Sequence, residues 1–153
     1  EMNIRLAGPE DFVQLGELMR QLNPGDPPFD EKNLEVFDQI TANPHFILLV
    51  AEKAGNLIAS AYLNVIPNLS RGGRPYAVAE NLVVDLKHRK QGVGRAMMEK
   101  LIEIAWEVDC YKLMLLTGRK NKGVHAFYQK LGFSGDAKQA YILRAGDSPP
   151  GHD

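Results

Sequence analysis

The residues from Arg89 to Arg95 have the composition of a small anion-binding site. Their sequence, Arg-Lys-Gln-Gly-Val-Gly-Arg, brings two glycines and three cations together directly before a long segment with helical apolar spacing. A glycine-bearing turn that opens a helix exposes unpaired backbone N–H groups, and the positive end of the helix dipole adds to their attraction for an anion. Over residues 85–95, four cations stand against one acid, Asp85, so the net charge is +3. The segment predicts a site for a phosphate-bearing ligand.

Three interpretations of this segment compete with that one. A P-loop needs a Gly-Lys pair followed by serine or threonine, which is absent. The dinucleotide fingerprint needs a small residue where Met97 stands and an acid about 20 residues further on. The remaining alternative is a solvated basic helix start that binds nothing.

Composition excludes several broad classes of protein. The chain has 153 residues, which suits one domain, and its 44% apolar and 24% charged residues are close to globular averages. A net charge of −1 gives no global attraction to nucleic acid or to an anionic membrane. Cys110 is the one cysteine, and the four histidines show no ligand spacing, so we expect neither a disulfide nor a bound metal. Cys110 and His125 are interpreted as structural or surface residues.

The chain also shows no signal for a membrane or for secretion. Its longest strongly apolar run, Phe46 to Ala51, is far shorter than the roughly 20 residues that a membrane span needs. The N-terminus has no basic patch before an apolar stretch. We therefore expect a soluble, cytoplasmic protein.

Apolar periodicity and turn residues predict the elements that position this segment. The predicted helices begin near Pro9, at the capping residue Asp30, near Gln91 and at Asn121, and they end near Leu22, Ile40, Val108 and Leu131. The predicted strands are Phe46 to Glu52, Leu57 to Ile66, Tyr76 to Val84, Lys112 to Leu116 and Ala140 to Leu143. The remaining residues, 147–153, are predicted to form a flexible tail after a domain that covers residues 1–146.

With these elements in place, the sequence resembles the GNAT superfamily of acyl-CoA-dependent N-acetyltransferases. The run Arg89 to Gly94 matches the superfamily's pyrophosphate loop, Arg/Gln-x-x-Gly-x-Gly/Ala, at the same strand-to-helix junction. A second element, Asn121 followed by Phe127-Tyr128 and then Gly132-Phe133, appears in the expected order. The resemblance covers about residues 4–143 and implies a single α/β domain with a mixed, mostly antiparallel sheet flanked by helices.

A narrower resemblance is to glucosamine-6-phosphate N-acetyltransferases. It rests on Ala79 to Val84, on Cys110-Tyr111-Lys112 and on Phe127 to Ser134. Asn81 and Leu116 stand where that family carries aspartates on the sugar side. The identity of the acceptor therefore stays open.

The resemblance implies direct transfer of an acetyl group from acetyl-CoA to an amine, with no metal. Because an alkyl amine with a pKa of about 10.4 is almost wholly protonated at neutral pH, a base is needed, and Glu80 is the candidate. Glu80 interrupts an apolar strand, where a buried carboxylate is costly unless it is used; the alternative is a carboxylate on the solvated face. Tyr128 is the candidate acid for the departing thiolate, and the alternative is a packed tyrosine with its hydroxyl in water.

The predicted contacts to the CoA co-substrate follow the two motifs. Near its end the catalytic strand is expected to splay from its neighbour, so that its backbone can pair with pantetheine and bond the thioester oxygen. Asn121 is expected to bond the pantetheine arm or to cap its helix. The cofactor-binding set is Leu82, Val83, Val84, Arg89, Lys90, Gln91, Gly92, Val93, Gly94, Arg95 and Asn121.

Two pairs of loop charges are candidate acceptor contacts. Asp26 and Asp30, with Glu31, could attract a cationic amine, while Arg71 and Arg74 could hold a phosphate or carboxylate. The alternative is solvated loop charge. Together they suggest a small molecule with an amine and an anion, such as an amino sugar phosphate or an amino acid. The competing functions are acetylation of a protein terminus or lysine, and a non-catalytic acyl-CoA sensor.

Two further expectations concern assembly and charge. The edge of the predicted strand Ala140 to Leu143 suggests a homodimer, because a second subunit could cover it. Residues 119–130 carry four cations and no acid, so with residues 85–95 they leave a net charge of −8 on the rest of the chain. The expected ligand is therefore a polyanionic small molecule held at a cationic edge.

Overall fold

The computed structural model of the protein describes residues 1–147. The chain divides into two compact units, Glu1–Thr117 and Gly118–Asp153. Most of the predicted flexible tail, residues 148–153, lies outside the described residues. Within residues 1–147, no helix is both long and apolar enough to cross a membrane.

The first unit is built on a five-stranded sheet with the strands in chain order. The strands are β1 Met2–Leu6, β2 Phe46–Lys53, β3 Asn56–Ile66, β4 Tyr76–Val84 and β5 Leu113–Leu115. Neighbouring strands run antiparallel except β4 and β5, which are parallel. The predicted mixed, mostly antiparallel sheet is confirmed.

Three helices of the first unit pack on this sheet. The second unit has one helix of its own. They are α1 Phe12–Leu22, α2 Glu31–Ala42, α3 Val93–Glu107 and, in the second unit, α4 Lys122–Lys130. Short 3-10 turns lie at Pro9–Asp11, Arg71–Gly73 and Leu86–His88. Asp30 begins α2 as predicted, because its carboxylate accepts hydrogen bonds from the backbone N–H groups of Lys32 and Asn33.

The hydrophobic core of the first unit lies on both faces of the sheet. On one face, Leu15, Leu18 and Phe37 from α1 and α2 pack with Val50 of β2 and Val83 of β4. Side chains alternate along a strand, so Leu49, Ala51 and Ala61 point to the opposite face, where α3 packs. Met97, Leu101 and Ala105 form the fully buried stripe of α3. Within the carboxyl half of β4, Val83 is therefore covered by α1, while α3 packs on the opposite face of the sheet.

Two predictions about the strands are wrong. Ala140 to Leu143 is not a strand, and Tyr141, Ile142 and Leu143 are 89%, 64% and 81% exposed. A β-branched or aromatic composition predicts a strand only where a neighbouring strand completes the ladder, and none does so here within residues 1–147. The homodimer was predicted from the edge of this strand, so that prediction loses its basis. The second miss is β1, a five-residue strand that pairs with β2 from Met2↔Lys53 to Leu6↔Leu49.

Candidate active site

β4 loses one of its two neighbours halfway along its length. It pairs with β5 only from Ala77↔Leu113 to Ala79↔Leu115, whereas it pairs with β3 as far as Ala59↔Val84. Residues 80–84 therefore have an open side, where no strand of the described chain takes their backbone hydrogen bonds. An extended ligand can pair with such an edge as a substitute strand. The predicted parting of the catalytic strand from its neighbour is present.

A β-bulge lies at the point where β4 opens. Tyr62 faces Glu80 and Ser60 faces Val83, so Ala61 alone stands opposite two residues of β4. One of those two, Asn81, has a φ of +55°, a left-handed conformation that is unusual for a residue other than glycine. Such bulges re-aim side chains and often lie beside active sites. Because of this bulge, Glu80 and Val83 point to the same face.

Glu80 lies on the face that α1 and α2 cover only in part. Its side chain is exposed, so the cost of burial from which we argued for a catalytic role does not apply. The residues that surround it on this face are half-buried: Leu48, Tyr62, Asn64 and Val78. The structure therefore places a carboxylate at an open, partly apolar surface.

Tyr62 is a candidate site residue that the sequence analysis missed. It lies directly across the ladder from Glu80, and its ring packs 6.1 Å from that of Phe46. Burial raises the pKa of the Tyr62 hydroxyl, and the negative charge of Glu80 raises it further. The phenol stays protonated at neutral pH and can donate a hydrogen bond beside the carboxylate.

The turn from β4 into α3 has the geometry of an anion-binding helix start. Gly92 caps α3 with a φ of +81°, and the first helical hydrogen bond runs from the Ala96 N–H to the Gly92 carbonyl at 3.0 Å. The three amides of residues 93–95 precede that bond and have no carbonyl of the helix to accept from them. A Cβ at Gly92 would meet no atom, so backbone conformation and not space requires glycine there.

The predicted cofactor residues on this turn differ in what they can offer a ligand. Val83 and Val93 are buried, so only their backbone groups are accessible. Arg89 donates to the Val84 carbonyl at 3.2 Å, and Arg95 forms an exposed ion pair with Glu99 at 2.8 Å. Lys90, Gln91 and Gly92 are exposed. The basic segment, residues 85–95, directly follows the open edge of β4 in the chain, so the two lie side by side.

A hydrogen-bond network anchored on Asp85 holds this turn against α1. Gln21 donates to Asp85 at 2.8 Å and accepts from the Leu86 N–H at 3.0 Å, while His88 Nδ1 lies 2.8 Å from the other Asp85 oxygen. The hydrogen bond from Gln21, followed by that from His88, lowers the pKa of the Asp85 carboxyl. Gln21 and His88 could not be predicted from the sequence. The partners of Gln21 are more than 60 residues away, and the contact of His88 depends on the geometry of the turn.

In the second unit, Asn121 caps α4 and Tyr128 lies near its end. The Asn121 side chain accepts from the Val124 N–H at 2.9 Å, which confirms the capping alternative. The half-buried Tyr128 ring packs edge-on against Phe127 at 5.0 Å and Phe133 at 6.0 Å. Burial raises the pKa of the Tyr128 hydroxyl, and Arg119 partly opposes that shift. Tyr128 is thus a protonated phenol at neutral pH.

The four predicted acceptor contacts have different surroundings. The Asp30 carboxylate is used as a helix cap, and Asp26 lies exposed in the loop before it. Arg74 is held by Asp109, through its carboxylate at 3.3 Å and its carbonyl at 3.3 Å. Arg71 lies against the ring of Tyr111. Arg74 therefore has a structural role, and Arg71 is the loop cation that remains available.

Residues with metal-binding or nucleophilic chemistry do not form a second centre. Within residues 1–147, no three histidine, cysteine, aspartate or glutamate side chains are grouped so that they could hold a metal ion. Cys110 is buried, and burial raises the pKa of its thiol. His125 is exposed on α4.

The sequence of the chain is similar to those of known N-acetyltransferases. The chain is 36% identical over 88 residues to a glucosamine 6-phosphate N-acetyltransferase of Trypanosoma brucei brucei, which covers 58% of each protein. It is 31% identical over 119 residues to glucosamine 6-phosphate N-acetyltransferase 1 of Oryza sativa subsp. japonica, covering 76% of this chain and 70% of that one. The chain thus spans little more than half of the trypanosome protein.

A solved structure is similar over nearly the whole chain. A putative acetyltransferase from Agrobacterium tumefaciens superposes with a TM-score of 0.87 at 42% identity, covering 93% of this chain and 99% of that one. Residues 13–133 match the sequence profile of the acetyltransferase (GNAT) family, a span that includes both the open strand β4 and the Tyr128 helix. The chain belongs to the acetyltransferase (GNAT) family.

Proposed function

We propose that this protein is an acetyl-CoA-dependent N-acetyltransferase that acts on a primary amine of a small molecule. The observation that carries the proposal is the continuity of β4 and α3. One stretch of chain provides a carboxylate at Glu80, an unpaired backbone edge at residues 80–84 and a glycine-capped helix start. Family membership supplies the reaction class.

The residues of this stretch fit the parts of CoA in order. The amides of residues 93–95, with Arg89 and Lys90, suit a pyrophosphate, because unpaired N–H groups and cations attract an anion. The open edge at Leu82 and Val84 suits the amide groups of pantetheine, although the Val84 carbonyl already accepts from Arg89. The side-chain oxygen of Asn121 already accepts one hydrogen bond as a helix cap, and its amide nitrogen is the donor that we assign to pantetheine.

Bound acetyl-CoA supplies the acetyl thioester. Glu80, directly or through a water, takes one proton from the acceptor ammonium and passes it to solvent, and it takes a second proton as the amine attacks the carbonyl carbon. A backbone N–H at the open edge of β4 stabilises the developing oxyanion. The C–N bond forms, the C–S bond breaks, and Tyr128 gives its phenolic proton to the thiolate. Transfer is direct, because no step needs an enzyme nucleophile.

The acceptor we propose carries an anionic group besides its amine. Arg71 is free of carboxylate partners within the described residues, and the relatives reported above are named for glucosamine 6-phosphate. Asn81 and Leu116 replace aspartates of those enzymes, so we extend the proposal only to the class of small amines with an anion. A cytoplasmic location and a homodimer stay predictions from the sequence.

Thiol release from acetyl-CoA in the presence of an amine panel tests the proposal. The panel contains amino sugars with and without phosphate, amino acids and peptides with free N-termini. Release that needs a small amine supports it, and a preference for peptides indicates a protein acetyltransferase. CoA binding without thiol release on any amine would make the protein a sensor.

Three variants test the assigned roles. Glu80→Gln and Tyr128→Phe should lower kcat but leave CoA binding intact. For Glu80, the proposed general base, we expect kcat to fall by about 10²-fold or more. Arg89→Glu should weaken CoA binding itself, whereas the matched control Lys100→Glu, on the exposed side of α3, should not. Loss of CoA binding in Glu80→Gln with normal binding in Arg89→Glu would overturn the assignments.

A further inference from the structure

Asn64 places a polar side chain among apolar ones on the face of the sheet that carries Glu80. It lies on β3 between its ladder partners, Phe46 of β2 and Val78 of β4, and all three residues are half-buried. Tyr62 precedes Asn64 by two residues, so the two side chains share this face. Because Tyr62 stands directly opposite Glu80, Asn64 lies diagonally across the ladder from Glu80. An acceptor bound beside Glu80 is therefore also close to Asn64.

One hydrogen bond fixes the orientation of the Asn64 amide. Its Nδ2 donates to the Val78 carbonyl at 3.3 Å. A flipped amide would bring two carbonyl oxygens together at that point, so the nitrogen end is bound to the neighbouring strand and Oδ1 is the end that remains. Within residues 1–147, the structure shows no hydrogen bond to this oxygen. Asn64 thus offers a ligand a neutral hydrogen-bond acceptor in a fixed orientation.

The ligand group that best completes this contact is a hydroxyl. Asn64 Oδ1 can only accept, so the ligand must donate. A hydroxyl can donate to Oδ1 and also accept from the protonated phenol of Tyr62, whereas a second ammonium can only donate. A ligand that displaces water from Oδ1 without donating to it leaves a polar atom unpaired between Phe46 and Val78, which weakens binding. Asn64 therefore favours a hydroxylated amine over the same amine without the hydroxyl.

The diagonal placement also limits the distance between the hydroxyl and the amine of the ligand. Diagonal neighbours across an antiparallel ladder have Cβ atoms about 7–8 Å apart or somewhat less. Hydrogen bonds of about 2.8 Å to Glu80 and to Asn64 Oδ1 use most of that span, so the amine nitrogen and the hydroxyl oxygen must be close together. An amine and a hydroxyl on adjacent carbon atoms meet this requirement. The same groups at opposite ends of a six-membered ring do not.

We infer that Asn64 determines acceptor specificity by binding a hydroxyl on the carbon next to the one that carries the amine. The inference rests on the proposed function for the role of Glu80, and it narrows the acceptors of that function to vicinal amino alcohols. Simple alkyl amines and lysine side chains lack this hydroxyl, so they should be poor acceptors.

Three amines built on one ring test the inference: trans-2-aminocyclohexanol, cyclohexylamine and trans-4-aminocyclohexanol, whose hydroxyl is out of reach. In the native protein, kcat/KM for the first should exceed that for either of the others by at least about tenfold. Asn64→Leu keeps the size of the side chain and removes the acceptor, so it should abolish this preference by raising KM for trans-2-aminocyclohexanol. Asn64→Asp keeps an acceptor oxygen and should retain the preference. Asn3→Leu, the same change at an exposed position of β1, is the matched control.

Calorimetric titration with the same amines separates this inference from the proposed function. Hydroxyl-dependent binding that is lost in Asn64→Leu, with no turnover of any amine, would refute the proposed function and keep the role of Asn64. An equal loss of turnover on all three amines in Asn64→Leu, or a native protein with no preference for trans-2-aminocyclohexanol, would overturn the role of Asn64 and keep the function. The affinity for CoA shows whether each variant is folded, and Asn64→Ala replaces Asn64→Leu if that variant has lost it.

Discussion

Tyr62 and Glu80 are direct cross-strand partners in the β3–β4 ladder, and their side chains share the open face of the sheet. The phenol is protonated at neutral pH because burial and the carboxylate raise its pKa. We predict that Tyr62→Phe lowers kcat about tenfold, as expected for one lost hydrogen bond of about 1.4 kcal/mol in the transition state. CoA binding should be unchanged.

The control for that variant is Tyr141→Phe, because Tyr141 is 89% exposed. Steady-state kinetics with a saturating amine gives kcat, and calorimetry gives the affinity for CoA. If Tyr62→Phe keeps the native kcat, the Tyr62 hydroxyl has no part in the reaction and the prediction is wrong.

The Gln21 side chain should affect the acetyl donor rather than the acceptor. Gln21 bonds both Asp85 and the Leu86 N–H, so Gln21→Leu loosens the turn that leads into α3. We expect the KM for acetyl-CoA to rise severalfold with a smaller change in kcat. Gln39→Leu, an exposed change on α2, is the control, and an equal effect of both variants would contradict a positioning role.

The raised pKa of Tyr128 makes a prediction about pH. An ordinary tyrosine titrates near 10, and burial moves the Tyr128 pKa upward, so the phenol keeps its proton between pH 6 and 9. Tyr128→Phe should therefore lower kcat by a similar factor throughout that window. A basic limb near pH 8 that is present in the native protein and absent from Tyr128→Phe would refute this.

Removing the buried charge of Asp11 should lower the stability of the folded protein. Asp11 is 2% exposed, accepts two hydrogen bonds from Arg5 and one from the Gly8 N–H, and the Arg5 hydrogen bonds lower its pKa. Asp11→Asn should reduce the free energy of unfolding by about 3 kcal/mol in urea titrations at pH 7. Asp38→Asn, exposed on α2, should change it little.

The same pair gives that stability a pH dependence. Because the folded pKa of Asp11 lies below the unfolded value of about 4, its contribution is complete above pH 4 and is lost as the pH falls through the folded pKa. Urea titrations of the native protein and Asp11→Asn should therefore converge below pH 4. A constant difference between them down to pH 2 would contradict the mechanism.

Cys110 should resist alkylation in the folded protein. It is 2% exposed, and burial raises its pKa, so little thiolate is present or accessible at pH 8. Mass spectrometry after brief treatment with iodoacetamide should show no adduct in buffer and one adduct in urea. Fast modification without urea would place Cys110 at the surface.

Local patterns in the sequence were sufficient to predict α1 to α4 and the strands β2 to β5. Apolar periodicity marks these elements, and Asp30 and Asn121 act as the caps that their residue types indicate. β1 was missed because five residues carry too little periodicity, and its stability comes from pairing with β2. Ala140 to Leu143 failed for the converse reason: its composition favours a strand that no neighbour completes.

The residues of the candidate site also fall into those that local sequence predicts and those that depend on the fold. Glu80 and the turn from Arg89 to Arg95 could be predicted, because each is contiguous in the sequence. Tyr62 and Gln21 could not, because their roles depend on strand register and on loop geometry. The bulge at Asn81 in particular decides which residue of β3 faces Glu80.

That bulge also decides which side chains of β4 point toward the acceptor. Val83 is 3% exposed and fixed in the core beneath α1, so it cannot change faces. Glu80 and Val83 are three residues apart, so a regular strand of the same length, without the bulge, would place them on opposite faces. With Val83 held in the core, Ala79 would then face the acceptor, and the carboxylate of Glu80 would be turned toward α3. The positive φ of Asn81 thus sets whether this strand presents an acid or an alanine to the acceptor.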